Sequence, residues 1–162
     1  MKKKSGFILI TALLVIIDQI SKYFILINES KLPKVIINNI LRFNYCENRG
    51  IAFGIGEGTV QLISIITIVI IVIILIAIYI NYSKIDNKIL LGSSIMIAGG
   101  IGNLIDRIFR LYVVDFIDFN ELFNFPIFNF ADICVVIGVI IIGIAYLTID
   151  RGEDIEKDSC KR

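Results

Sequence analysis

The sequence predicts an all-α membrane protein of four transmembrane helices, accompanied by a small extracytoplasmic β-sheet and an interfacial helix. Three observations carry that expectation. The 162-residue chain is 57% hydrophobic and has a mean hydropathy of +0.86, beyond the apolar share of a water-soluble domain. The surplus lies in long blocks, each near the length a helix needs to cross about 30 Å of hydrocarbon. Between the blocks lie shorter polar stretches, one of which alternates apolar and polar residues as a half-buried strand does.

The first span covers residues 7–27 and is interrupted only by Asp18-Gln19-Ile20-Ser21-Lys22. At 1.5 Å per residue it measures about 31 Å, enough to cross the membrane. Lys2, Lys3 and Lys4 ahead of it resemble the start of a signal peptide, but no small-residue cleavage site follows. Asp18 and Lys22 stand four apart, so they share a face and can pair inside the bundle. A structural ion pair is the plainer expectation for them, and a place in a site the alternative. Residues 28–59 form a polar loop in which Leu41, Phe43 and Tyr45 alternate with Arg42, Asn44 and Cys46. Asn48-Arg49-Gly50-Ile51-Ala52-Phe53-Gly54 follows, with glycines suited to a tight turn or to close approach of backbone to a ligand.

The second span, 60–80, is uncharged, aliphatic and without chemistry. In the third, 89–108, Ala98, Gly102 and Asp106 recur every four residues beside Gly99, Asn103 and Arg107. Small residues at that spacing admit another backbone, so the polar groups face protein rather than lipid. Residues 109–126 form a second outer loop: Tyr112–Phe116 is strand-like, and Phe116–Phe123 alternates irregularly, as a segment lying in the interface plane does. Pro126 opens the fourth span, 127–148, where Asn129 and Asp132 share a face. Residues 1–150 thus form one membrane domain, and the charged tail 151–162 is expected to be disordered.

Nine cations (Lys2, Lys3, Lys4, Lys84, Lys88, Arg151, Lys157, Lys161, Arg162) fall on one side of this layout and five (Lys31, Lys34, Arg42, Arg49, Arg110) on the other. The excess places both termini in the cytoplasm of a multi-pass inner-membrane protein. Asp18, Lys22, Asp106, Arg107, Asp115 and Asp132 then all fall in the outer layer. Charges in membrane helices cost roughly 2.5–3.5 kcal/mol on insertion scales, so a convergence of them marks function.

The chain has no histidine, which removes Ser-His-Asp and Cys-His catalysis and His-ligated zinc. Cys46, Cys134 and Cys160 are far apart and without CxxC spacing, so a disulfide framework or a thiolate metal site is not expected; Cys134 reads as an apolar packer. A net charge of +1 offers nucleic acid no basic field. Two facing carboxylates are the strongest catalyst left, because a close pair cannot both ionise and one keeps a proton at neutral pH. Calcium or magnesium ligation lacks a ligand-dense loop; a proton relay stays open. No metal or cofactor is expected.

Asp18-Gln-Ile-Ser-Lys22, Asn48-Arg-Gly-Ile-Ala-Phe53, Gly99-Gly-Ile-Gly-Asn-Leu-Ile-Asp-Arg107, Val113-Val-Asp-Phe116 and Phe128-Asn-Phe-Ala-Asp132 resemble, in order, the signature blocks of bacterial signal peptidase II, the lipoprotein signal peptidase. The resemblance implies a four-helix membrane aspartyl peptidase, a hydrolase that removes signal peptides from prolipoproteins just before a diacylglyceryl-modified cysteine. It implies Asp115 and Asp132 as the catalytic pair, and Asn48, Asn103, Arg107 and Asn129 as groups holding the substrate. Its surface sheet fits Leu41–Tyr45 and its interfacial helix fits Phe116–Phe123.

Residue chemistry alone does not choose between Asp106 and Asp115. Asp106 lies deeper, but neighbouring Arg107 offers it a buttressing ion pair, which with Asp18 and Lys22 makes a supporting group. Asp115 has no adjacent cation, and Asp118 and Glu121 read as solvated interfacial charges. The partners expected are diacylglyceryl-modified prolipoproteins and membrane lipid, with the chain a monomer. A small proton-coupled transporter is the rival, although unbroken Ile and Val in the inner halves of helices two and four offer no polar route to the far side. A non-catalytic assembly factor, with the polar layer as interhelical glue, is a third class.

Overall fold

The computed structural model describes residues 2–50, 59–119, 122 and 125–159. Four helices, α1 (Lys2–Ile27), α2 (Val60–Ile80), α3 (Asn87–Arg110) and α4 (Phe130–Ser159), accompany three strands, β1 (Lys34–Ile37), β2 (Leu41–Asn48) and β3 (Val113–Asp118). All four helices contain stretches long and apolar enough to cross a membrane. The α2 stretch has a mean hydropathy of 3.4 and is 0% buried, whereas 56% of the α3 stretch is buried. Such a contrast identifies α3 as the central helix and α2 as the lipid-facing one.

Around α3 pack α1, α2 and α4, and glycine decides how near α4 comes. A Cβ on Gly92 would lie 2.8 Å from the carbonyl oxygen of Gly138, and one on Gly138 would lie 2.6 Å from that of Gly92. A Cβ on Gly99 would stand only 2.2 Å from the Ala131 oxygen. Gly92 and Gly99 thus make the α3–α4 seam, whereas on the small-residue face read from the sequence a Cβ on Gly102 would meet Asp18 of α1 at 2.5 Å before Ala131 of α4 at 3.2 Å. Helix α3 begins on an Asp86 cap whose carboxylate accepts from Lys88 N at 2.7 Å. It ends at Leu111, held at φ 64°, a left-handed position that favours glycine. Leu111 is exposed, so Leu111→Gly is expected to stabilise the protein by about 0.5–1 kcal/mol, seen as a rise in the thermal midpoint.

The antiparallel sheet runs in the order β1-β2-β3. Arg42 pairs with Asp118 and Cys46 with Asp115, with a register shift between Phe43 and Cys46. That shift resolves a parity conflict. Residues 42, 44, 46 and 48 would share one face of a regular strand, whereas 115 and 118 point to opposite faces. One extra residue in β2 turns its second half over. Arg42 and Asn44 then meet Asp118, while Asn48 meets Asp115. Val114 and Phe116 pack on Ile25 and so seat the sheet on the C-terminal end of α1.

Four sequence expectations need correction. Phe116–Asp118, expected in an interfacial helix, belongs to β3, because its backbone bonds to β2 on one side and to Phe128 on the other; of the rest of that segment, residues 120, 121, 123 and 124 lie outside the described residues. Helix α4 starts at Phe130 rather than beside Pro126, since Phe128 exchanges backbone hydrogen bonds with Ile117 at 2.8 and 3.1 Å and is extended. Helical backbone continues to Ser159 where disorder was expected from 151, as propagating a formed helix costs far less than nucleating one. Asp118 is not solvated: it is 1% exposed and accepts from Arg42 Nε at 2.7 Å and Asn44 Nδ2 at 3.2 Å. Glu121 and the 51–54 part of the glycine turn lie outside the described residues.

Candidate active site

The polar groups of α1, α3, β3 and α4 meet beneath the sheet. Asp115 stands in mid-β3 and is buried. Its Oδ2 accepts from Asn48 Nδ2 at 2.9 Å and its Oδ1 from Asn129 Nδ2 at 2.6 Å. Asp132 lies in the first turn of α4. Its Oδ1 accepts from Asn103 Nδ2 at 2.8 Å and its Oδ2 from the backbone N–H of Asn129 at 3.1 Å. Asn129 Oδ1 accepts in return from Asp132 N at 3.0 Å. This reciprocal pair is a capping box written in Asn and Asp, so the bonds that start α4 also hold Asp132. The backbone bridge of Phe128 to Ile117 brings that cap beside Asp115.

An unbroken chain of amides joins the two carboxylates. Asn129 Nδ2 donates to Asp115 and, at 3.1 Å, to Asn103 Oδ1, and Asn103 donates to Asp132. Asn103 and Asn129 thus commit their side-chain amides to the aspartates. Asn48, Arg107, Asp115 and Asp132, by contrast, line a cavity of about 750 Å³. Its other wall is apolar, formed in part by Ile127, Ile133, Val136 and Ile137. Arg107 reaches the Gly50 carbonyl at 3.5 Å.

Burial first, and the charge of Asp132 second, push the Asp115 carboxyl from an ordinary 3.8 up to about 7. The Cys46 thiol, opposite Asp115 in the sheet, is also pushed up, by burial and then by the Asp115 charge. It is held as a thiol rather than as a nucleophilic thiolate. Cys134 is buried, as a packing residue would be. Among the described residues no three Asp, Glu or Cys side chains converge as a metal site.

Behind the two aspartates lies a second polar group. Lys22, fully buried, meets Asp18 Oδ2 at 2.9 Å and Asp106 Oδ2 at 3.0 Å. The expected Asp18–Lys22 pair is present, but the expected Asp106–Arg107 pair is not: Asp106 takes Lys22 and Arg110. Helical spacing explains the difference, since residue 110 lies on the face of 106 and residue 107 is turned about 100° away, toward the cavity. Gln19 and Arg110, which sequence reasoning passed over, complete the group. Gln19 Nε2 donates to Asp18 and to the Gly102 carbonyl at 3.0 and 3.1 Å. The i, i+4 spacing of Asp106 and Arg110 was the signal available for the second.

The family described as Signal peptidase (SPase) II matches residues 10–148. The chain belongs to the signal peptidase II family. It is 36% identical over 146 residues to the lipoprotein signal peptidase of Fusobacterium nucleatum subsp. nucleatum, covering 90% of this chain and 88% of that protein. It is 40% identical over 136 residues to that of Clostridium novyi, covering 82% and 91%. A solved bacterial membrane enzyme, determined by the in meso method at 2.3 Å, superposes with a TM-score of 0.78 at 38% identity, over 89% of this chain and 88% of that one. As a signal peptidase II, the chain is a multi-pass bacterial membrane peptidase that removes signal peptides from prolipoproteins.

Proposed function

We propose that Asp115 and Asp132 perform the cleavage as an aspartyl pair, and that the bond cut precedes a diacylglyceryl-modified cysteine. The observation that carries this is the amide chain tying two carboxylates from different elements to one wall of the cavity. Burial and the neighbouring Asp132 charge favour the shared proton on Asp115 up to about pH 7, which leaves Asp132 as the base of the pair. Asp132 takes a proton from water as the water oxygen attacks the scissile carbonyl carbon. Asp115 gives its proton to the carbonyl oxygen, forming a tetrahedral diol. On collapse the C–N bond breaks, a diol proton returns to Asp115, and the proton on Asp132 passes to the leaving nitrogen.

Asn48 and Arg107, both on the cavity wall, hold the substrate backbone, and Asn103 and Asn129 hold the pair. The apolar wall accepts lipid chains beside the scissile bond. The cation excess on the opposite side supports a layout with both termini in the cytoplasm and this site at the outer leaflet. Every group named comes from one chain, which acts as a monomer.

The test is incubation of the purified protein with a diacylglyceryl-modified prolipoprotein and with its unmodified form, across pH. Cleavage of the modified form alone is expected. kcat follows a bell whose alkaline limb falls near pH 7, where Asp115 loses its proton. Cleavage of both forms alike would remove the lipid requirement, and a rate flat through pH 6–9 would remove the aspartyl pair.

A further inference from the structure

Lys22 is the one lysine buried to 0% exposure among the described residues. A lone structural ion pair would need a single partner, yet its ammonium has three, one per N–H. The first arm runs from Lys22 Nζ to Asn103 Oδ1 at 2.9 Å, and Asn103 Nδ2 continues to Asp132. The second runs to Asp18, whose Oδ1 accepts at 3.0 Å from the N–H of Ala131, the residue before Asp132. The third runs to Asp106, whose Oδ2 accepts at 3.1 Å from the N–H of Val114, the residue before Asp115. Every arm ends on one member of the pair or on its chain neighbour.

From this convergence we infer that Lys22 is a positioning residue for the cleavage reaction: its buried charge fixes the Asn103 amide and sets the proton affinity of the Asp115–Asp132 pair. The inference rests on the aspartyl reading above. An asparagine amide can turn over with little change in shape. Turned over, Asn103 would point its oxygen at the Asp132 carboxylate and its NH₂ at the ammonium, two repulsive contacts in place of two charge-assisted hydrogen bonds. The ammonium therefore selects the orientation in which Asp132 receives a donor. Its field also favours ionised carboxyls, and burial leaves that field little screened. Among other charged or titratable groups, Arg107 of α3 faces both aspartates, Cys46 of β2 faces Asp115 and Cys134 of α4 faces Asp132, while Asp18 of α1, Asp106 and Arg110 of α3, Glu47 of β2 and Asp118 of β3 stand one partner further out. Arg107 lines the open cavity and Arg110 is 27% exposed, so Lys22 supplies the least screened positive charge.

The experiment compares wild type with Lys22→Met and with the double variant Lys22→Met/Asp18→Asn, which restores neutrality to the buried group. kcat is expected to fall at least about tenfold with KM within about twofold, the signature of lost positioning rather than lost binding. In Lys22→Met both limbs of the kcat profile are expected to move up by about one pH unit, because losing a positive charge favours protonated carboxyls, and in the double variant, which also loses the adjacent negative charge, they are expected to move less. Infrared titration of the protonated-carboxyl band, assigned by its loss in Asp115→Asn, reads the same shift with no substrate present. A wild type that cuts nothing would therefore sink the aspartyl reading, while an unmoved carboxyl band in folded Lys22→Met would separately overturn this inference. Unmoved limbs and unchanged kcat in Lys22→Met with only a lowered thermal midpoint would also overturn it, leaving Lys22 a structural ion. Should neither variant fold, Lys22→Arg decides: retained limb positions with reduced kcat support the role, and displaced limbs or full kcat defeat it.

Discussion

Asp115→Asn and Asp132→Asn are each expected to lower prolipoprotein cleavage by about 10³-fold or more, since members of an acid–base pair act as a unit and removal of either disables both. Both variants stay folded. Asp115 accepts from Asn48 and Asn129, so the asparagine loses one hydrogen bond, on the order of 1 kcal/mol, and the thermal midpoint drops by a few degrees. The pH dependence of stability carries a second signature. The Asp115 carboxyl rises from 3.8 when unfolded to about 7 in the fold, so between those values the folded state binds more protons. Stability is greatest below the lower value and declines as pH rises through the upper one. Asp115→Asn removes that decline. A thermal midpoint that falls equally steeply with pH in wild type and variant would show that Asp115 is not the titrating group. Asp106→Asn serves as the contrast. It strikes a buried ion group tied to Lys22 and Arg110, so its first effect is on the folded fraction rather than on turnover of folded protein.

Gly99→Ala is expected to have the largest effect on stability, on the order of 3 kcal/mol or more, at the upper end of overpacking costs. A Cβ there would stand 2.2 Å from the Ala131 carbonyl and 2.8 Å from a Val135 methyl. The nearer atom is backbone, so α4 itself must move away from α3. The first turn of α4 carries Asp132, and that movement also lengthens the Asn103–Asp132 hydrogen bond of 2.8 Å. Cleavage per folded molecule falls along with stability. Gly143→Ala is the matched control. Nothing lies within 4 Å of a Cβ at that position, and alanine favours the helix by about 0.5–1 kcal/mol. Measured unfolding midpoints should therefore move in opposite directions for the two substitutions, and movement in the same direction would refute the close-approach account of the seam.

Much of this was legible in the residues. Four apolar blocks, the small-residue spacing of α3 and the Leu41–Cys46 alternation announced helices, close helix packing and sheet, because periodicity and transfer free energy are local properties. The Asp18–Lys22 pair followed from i, i+4 spacing. Misread features shared a different origin. Asp118 looked solvated because its partners Arg42 and Asn44 lie about 75 residues away in the chain. Asp106 was matched with Arg107 by adjacency, whereas its partners come from one turn on and from another helix.

By itself the sequence determined which chemistry is available: a chain without histidine, with acids and amides placed at the ends of apolar spans, has carboxylates to work with. It determined also where helices can run, since ~20 apolar residues have few other places to go. Tertiary structure alone decided which groups surround each acid. The bulge in β2 turns Asn48 toward Asp115, the Phe128 bridge sets the α4 cap beside β3, and the Gly99 contact brings Asp132 close to Asn103. Each is a contact between residues distant in the chain. A carboxylate takes its proton affinity and its partners from the groups that surround it in space, and only the folded chain assembles them.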